Sequence, residues 1–239
     1  YTAHKELSEG EYKRGCMEKD LCFKALLKFS LGVVAIGILL FLPAGTFHYW
    51  KAWLLMGILF IPMLFAGIVL LLKNPDLLKK RLNTKESQAE QRLVINLSAV
   101  MFLLGFVLAG LNFRFGWIIA PDWLSWTGTA IFLLSYMLYA EVLKENAYLS
   151  RTVEVQKGQK VVDTGLYGIV RHPMYTITIF LFLSMPLVLG SLISFVVFLA
   201  YPVIIAKRII NEEAVLEKDL DGYTEYKKKV KYKIIPYLW

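Results

Sequence analysis

The run Arg171-His172-Pro173-Met174-Tyr175 sets a guanidinium, an imidazole and a phenol at the start of an apolar stretch. A guanidinium grips a carboxylate through two parallel hydrogen bonds. An imidazole beside a carboxylate can help move a proton. Pro173 suits the first position of a helix, where free backbone N–H groups carry positive potential. Just upstream, Gly165-Leu166-Tyr167-Gly168 has two glycines, which let a backbone approach a ligand closely. Downstream, Glu212-Glu213 places two adjacent carboxylates after a long apolar run, with Arg208 four residues before Glu212, where the two can pair on one helix face. Each residue also has a plainer reading. Arg171 can anchor to lipid headgroups, His172 can cap a helix, and Tyr167 and Tyr175 can sit in an interfacial belt. The glutamates can form a solvated face that neutralises Arg208.

Other chemistries find no support. The three histidines, His4, His48 and His172, are scattered, and both cysteines, Cys16 and Cys22, lie near the N-terminus. That pattern offers no metal site and no disulfide framework. No Ser-His-Asp arrangement is visible, and no Gly-x-Gly-x-x-Gly follows a strand.

The elements that must position these groups are membrane helices. The chain has 239 residues, of which 57% are hydrophobic and only 19% charged. A soluble domain is about 45–50% apolar and about 25% charged. A hydrocarbon core of about 30 Å needs roughly 20 apolar residues in a helix. Four segments meet that need: Ala25–Leu42, Trp53–Leu72, Leu93–Leu111 and Trp123–Leu143. Two shorter ones, Tyr175–Leu189 and Leu192–Ile205, flank Gly190-Ser191 and read as a tight hairpin, with Pro186 and Pro202 expected to bend it. The first run follows more than twenty polar residues and lacks a small-residue cleavage site, unlike a signal peptide. Met17 is a candidate native start.

The net charge of +8 would suit a nucleic-acid binder, but its distribution points elsewhere. Of 27 Lys and Arg residues, 24 fall in 1–24, 73–92, 144–172 and 207–239, against two in the alternate loops. The positive-inside rule then puts both termini and those loops on the cytoplasmic side. The basic excess is explained by orientation and anionic lipid, without nucleic acid. Tyr49, Trp50, Trp53, Trp117, Trp123 and Trp126 fall near the opposite boundary, as an aromatic belt does. The expected protein is all-α and integral to the membrane, with about six transmembrane helices (in the plasma or inner membrane if prokaryotic). Its regions are a cytoplasmic segment 1–24, four helices over 25–143 and a functional region 144–239 containing the hairpin 175–205.

Two cytoplasmic segments carry local signals. Asn74-Pro75-Asp76 reads as an N-cap, a first helical position and an acidic first turn, opening a short amphipathic helix or a solvated connector. Thr152-Val153-Glu154-Val155 alternates like a short strand, and Lys157-Gly158-Gln159-Lys160 reads as a turn.

Gly165-Leu166-Tyr167, Arg171-His172-Pro173-Met174-Tyr175, a hydrophobic hairpin, Glu212-Glu213, Tyr223-x-x-Tyr226 and Ile235-Pro236 follow in that order. From about Glu145 to Trp239 this resembles the isoprenylcysteine carboxyl methyltransferase family, which is related to phospholipid methyltransferases. Upstream, Asn74-Pro75-Asp76-Leu77-Leu78 and Arg114-Phe115-Gly116-Trp117 look like bacterial or archaeal members. One departure is Thr176-Ile177, where the family often has a small residue. The resemblance implies S-adenosylmethionine as methyl donor, bound on the cytoplasmic side. It also implies a lipophilic or lipidated acceptor arriving from the bilayer, with membrane lipids around it and no protein partner. In that setting Arg171 meets a carboxylate of donor or acceptor. Glu212 or Glu213 accepts from ribose hydroxyls or the ammonium. The backbone of Gly165, Leu166 and Tyr167, with His172 and the helix start at Pro173, holds the adenine end. Gln159 is an edge contact, Tyr175 orients donor or acceptor, and Asn146 reaches the acceptor. Arg171 and Glu212 are the expected catalytic pair. The competing readings are a phospholipid or thiol methyltransferase, a membrane NADPH-dependent reductase related to sterol reductases, and a non-catalytic scaffold or transporter.

Overall fold

A computed structural model describes residues 2–82, 89–146, 148 and 155–239. The described residues are helical, with no strand among them. The helices are α1 (Thr2–Ala44), α2 (Trp50–Lys73), α3 (Pro75–Leu82), α4 (Ala89–Phe115), α5 (Asp122–Glu145), α6 (Pro173–Val188), α7 (Leu192–Phe198), α8 (Ala200–Asp219) and α9 (Tyr223–Lys229). A 3-10 turn covers Gly165–Gly168. Of the alternating segment expected as a strand, 152–154 lie outside the described residues, and Val155 is not in a strand.

Among the described residues, five stretches are long and apolar enough to cross a bilayer: Asp20–Ala44, Trp50–Lys73, Gln91–Phe115, Asp122–Glu145 and Leu192–Asp219. The shorter apolar helix α6 has 16 residues, so it reaches about 24 Å. The protein is an integral membrane protein. Its bilayer-facing side chains are apolar, as Leu31, Val34 and Ile38 of α1 and Phe65 and Val69 of α2 illustrate. Small residues let the helices approach closely. A Cβ on Gly110 of α4 would lie 2.6 Å from the Leu40 carbonyl oxygen of α1, and one on Gly128 of α5 would lie 2.8 Å from the Leu187 side chain of α6.

At one end of the bundle Trp50, Trp53, Trp117, Trp123 and Trp126 are exposed, as an aromatic belt requires. Tyr49 departs from that expectation. It is buried and donates its hydroxyl to the Leu189 carbonyl at 2.7 Å, pinning the α6–α7 turn to α2. That turn uses Gly190 at φ +67°, and Ser191 caps α7 by accepting from the Ser194 amide at 3.3 Å.

At the opposite end, α3 starts as its sequence predicts. Asn74 Oδ1 accepts from the Leu77 amide at 3.1 Å, and Leu77 and Leu78 are buried while Lys79 is exposed. The hairpin differs from expectation in extent. Apolar character stops near Ile205, but the helix continues to Asp219. α6 runs through Pro186 unbroken. α7 instead ends at Phe198, four residues before Pro202, where the missing amide and the proline ring disturb the ladder. The long helix α8 therefore carries Arg208, Glu212 and Glu213 out of the bundle beside the start of α6.

Candidate active site

The start of α6 is fixed from both sides. Backbone amides of Arg171 and His172 donate to the carbonyls of Tyr232 and Lys233 at 2.9 and 2.8 Å. Thr176 Oγ1 donates to the Ile234 carbonyl at 2.7 Å, one turn on. The chain after α9 thus folds back as a strap over the α6 N-terminus.

Arg171 ties strap and helices together. Its Nε donates to Glu213 Oε1 at 2.7 Å, and its Nη1 donates to the Val230 and Lys231 carbonyls, each at 2.7 Å. The two side chains are only 3% and 6% exposed. Glu213 Oε1 also meets His172 Nε2 at 3.1 Å, and Lys233 Nζ stands 4.0 Å from Oε2. Arg171 is too enclosed to grip headgroups. His172 is the residue before α6 but makes no side-chain capping bond. Among the described residues no group accepts from Arg171 Nη2, and Arg171 lines the cleft described next.

One helical step from Glu213, about 100° around the axis, Glu212 faces a cleft between α6, α8 and the 3-10 turn. Glu212 accepts from the Tyr175 hydroxyl, which in turn accepts from Arg208 Nε at 2.8 Å. Arg208 and Glu212, expected to pair directly, are bridged by Tyr175. The cleft is lined by Asn146, Gln159, Tyr167, Arg171, His172, Tyr175 and Glu212 of the expected residues. Glu213 lies behind this wall. Gly165, Leu166 and Pro173 frame it without lining it.

Gly165 has a specific reason to be glycine. At φ +52° its Cβ would fall 1.5 Å from Glu145 Oε1, whose carboxylate accepts from the Leu166 amide through Oε2 at 3.2 Å. This seats the 3-10 turn on the end of α5. Asn146 Nδ2 then donates to the Tyr167 hydroxyl at 3.1 Å, and Tyr226 donates to the Tyr167 carbonyl at 2.7 Å. Burial pushes the Tyr226 phenol up, so it stays a donor near neutral pH. Gln159 closes its own turn by accepting from the Gln156 amide at 2.9 Å, across Gly158 at φ +75°. Asp163, before the 3-10 turn, pairs with Lys229 of α9 at 2.7 Å, and that hydrogen bond holds its carboxyl below the usual range.

The cleft also contains residues the sequence did not single out as ligands: Arg208, Tyr148, Val161, Leu216, Tyr223 and Tyr226. For Arg208 the signal was its place four residues before Glu212. For Tyr223 and Tyr226 it was the Tyr-x-x-Tyr spacing. The Tyr223 hydroxyl is buried in this wall with no hydrogen-bond partner among the described residues, and burial pushes it up as well. A buried donor without a partner is costly unless a ligand supplies one. Carboxylate and amide groups, aromatic faces and aliphatic walls suit a ligand with both polar and apolar parts. No group of three or more His, Cys, Asp or Glu suited to a metal occurs among the described residues.

A second cavity, of about 420 Å³, lies between α4, α5, α6 and α8. Its walls are largely apolar, from Val94 and Ile95 through Ile205 to Phe102 and Phe182. The two cavities share Met174, Tyr175 and Arg208.

Residues 126–218, from early α5 to the end of α8, match the model of the isoprenylcysteine carboxyl methyltransferase (ICMT) family. Over that region the chain is similar to that family. The match spans Arg171, His172, Tyr175, Arg208, Glu212 and Glu213. No curated protein sequence matches the chain. Among solved structures it is similar to that of the eukaryotic intramembrane Ras methyltransferase ICMT, determined without a monobody. The identity is 18% and the TM-score 0.55, over 90% of this chain and 77% of that one. At that identity the likeness is one of fold.

Proposed function

We propose that this protein is a member of the ICMT family and transfers a methyl group from S-adenosylmethionine to the carboxylate of a prenylcysteine-like acceptor. The observation that carries this reading is the meeting of a polar cleft and a largely apolar cavity among the membrane helices at Met174, Tyr175 and Arg208. A water-soluble donor and a lipid-borne acceptor need one shared point of contact, and this is where the two compartments touch. The basic loops around the polar cleft support a cytoplasmic position for it, by the positive-inside rule.

The donor supplies a methyl group already activated on a sulfonium, so the residues have to position and balance charge rather than form a covalent bond. Glu212 accepts hydrogen bonds from the donor's polar groups, and Tyr223 finds its missing partner there. Asn146, Gln159, Tyr167 and His172 hold the remaining edges. Arg171 and Glu213 keep the strap closed over the α6 start, and Arg171 presents Nη2 to the cleft. Arg208, at the junction, attracts the acceptor carboxylate, and the Tyr175 hydroxyl keeps Arg208 and Glu212 in register. A carboxylate acceptor is already deprotonated at neutral pH, so no general base is required.

The test is calorimetric titration of S-adenosylhomocysteine into the purified, folded protein. The reading expects saturable binding that Glu212→Ala weakens. Absence of binding by folded native protein would sink it.

A further inference from the structure

The apolar cavity has a floor. Phe102 of α4 and Phe182 of α6 meet edge-to-face at 4.9 Å between centroids, and Phe182 meets Tyr201 of α8 at 4.7 Å. The row therefore joins three helices at the end of the lining farthest along them from Tyr175 and Arg208. It is also buttressed. Phe198 packs edge-on behind Phe102 at 5.3 Å, and it stands so close to α4 that a Cβ on Gly105 would lie 2.2 Å from its ring. The Tyr201 hydroxyl donates to Thr178 Oγ1 at 3.2 Å, which fixes the ring's orientation. A floor this interlocked resists rearrangement, as close-packed interiors do.

Its depth follows from helix geometry. Tyr175 to Phe182 is seven residues, Arg208 back to Tyr201 is seven, and Val94 to Phe102 is eight. At about 1.5 Å per residue these give roughly 10–12 Å from the junction to the floor. An extended chain advances about 1.2 Å per bond, so this depth holds roughly 8–10 main-chain carbons, or about two isoprene units.

Resting on the methyltransferase reading above, we infer that Phe102, Phe182 and Tyr201 measure the acceptor, so that the enzyme recognises a headgroup carboxylate plus the first two isoprene units. Any third or fourth unit turns sideways into the bilayer. Lipid tails are as apolar as the cavity wall, so leaving the bilayer brings little hydrophobic gain. Recognition comes from filling the space, because an underfilled cavity forfeits dispersion contacts along its lining.

The experiment uses the full chain in nanodiscs with N-acetyl-S-prenylcysteines of one, two, three and four isoprene units. Labelled methyl transfer gives kcat/KM for each. Native protein is expected to gain roughly tenfold from one unit to two, then to change less than about threefold at three and four. Phe182→Ala, with Phe182→Leu as the milder variant, opens the floor and should favour the three-unit over the two-unit acceptor by at least about threefold more than native. Binding of S-adenosylhomocysteine confirms a folded donor site in each variant. Transfer to none of the acceptors overturns the methyltransferase reading itself. Transfer that keeps climbing to four units in native protein, or an unchanged chain-length profile in a variant that still binds, overturns the floor.

Discussion

Replacing Glu213 by alanine separates a residue that holds the site together from one that touches its ligand. Glu213 was expected among the cofactor-binding residues, but the structure buries it behind the cleft, with Oε1 between Arg171 Nε at 2.7 Å and His172 Nε2 at 3.1 Å. Removing the carboxylate strands a buried guanidinium that retains only the carbonyls of Val230 and Lys231. Breaking one partner of a buried ion pair costs about 3–5 kcal/mol. For a chain of this size each kcal/mol lowers Tm by about 2–4 °C, so the expected drop is about 6–20 °C. Tryptophan fluorescence melting in nanodiscs reads it directly. The double variant Arg171→Met with Glu213→Ala removes the stranded charge and should regain part of the loss, because no unpaired buried charge remains. Glu213→Ala should weaken S-adenosylhomocysteine binding only to the extent that it unfolds the strap. A Glu213→Ala protein that melts like the native one and fails to bind would refute this reasoning, since Glu213 would then be a ligand-contacting group.

Three further outcomes are expected. Glu212→Ala should change Tm little but weaken S-adenosylhomocysteine binding roughly 10- to 150-fold in calorimetry, as losing charge-assisted bonds of about 1.5–3 kcal/mol implies. Tyr175→Phe deletes the hydroxyl between Arg208 and Glu212. It should lower kcat/KM by roughly 10- to 100-fold with a much smaller effect on melting, because two charged groups lose their common partner. Gly110→Ala drives a methyl group onto the Leu40 carbonyl and should cost about 1–3 kcal/mol in a melting assay, whereas Gly57→Ala, with nothing within 4 Å of its Cβ inside α2, should leave Tm unchanged or raise it slightly.

The sequence made some features of this protein legible and hid others for physical reasons. The four long spans were readable because length and hydropathy are local properties, and the observed helices enclose them. The opening of α3 was readable because capping depends on three adjacent residues. The reach of α8 was not. Hydropathy falls at Ile205 while the hydrogen-bond ladder continues to Asp219, since a helix needs no apolar side chains to propagate. Glu212 and Glu213 could not be told apart from spacing, because adjacent helical residues point about 100° apart and only the rotation of α8 decides which one faces the cleft. The Arg171 ties to Val230 and Lys231 join residues some sixty positions apart and had no local signal. Tyr49 looked like a belt residue until the fold brought the Leu189 carbonyl to it.

The most direct measurement of the central claim is transfer of a labelled methyl group from S-adenosylmethionine to an N-acetyl-S-prenylcysteine by the purified protein in nanodiscs. The predicted result is a base-labile methyl ester that accumulates with native protein and drops at least about tenfold with Glu212→Ala and with Tyr175→Phe. Folded native protein that binds S-adenosylhomocysteine yet forms no such ester would contradict the assignment of the acceptor carboxylate to the junction at Met174, Tyr175 and Arg208.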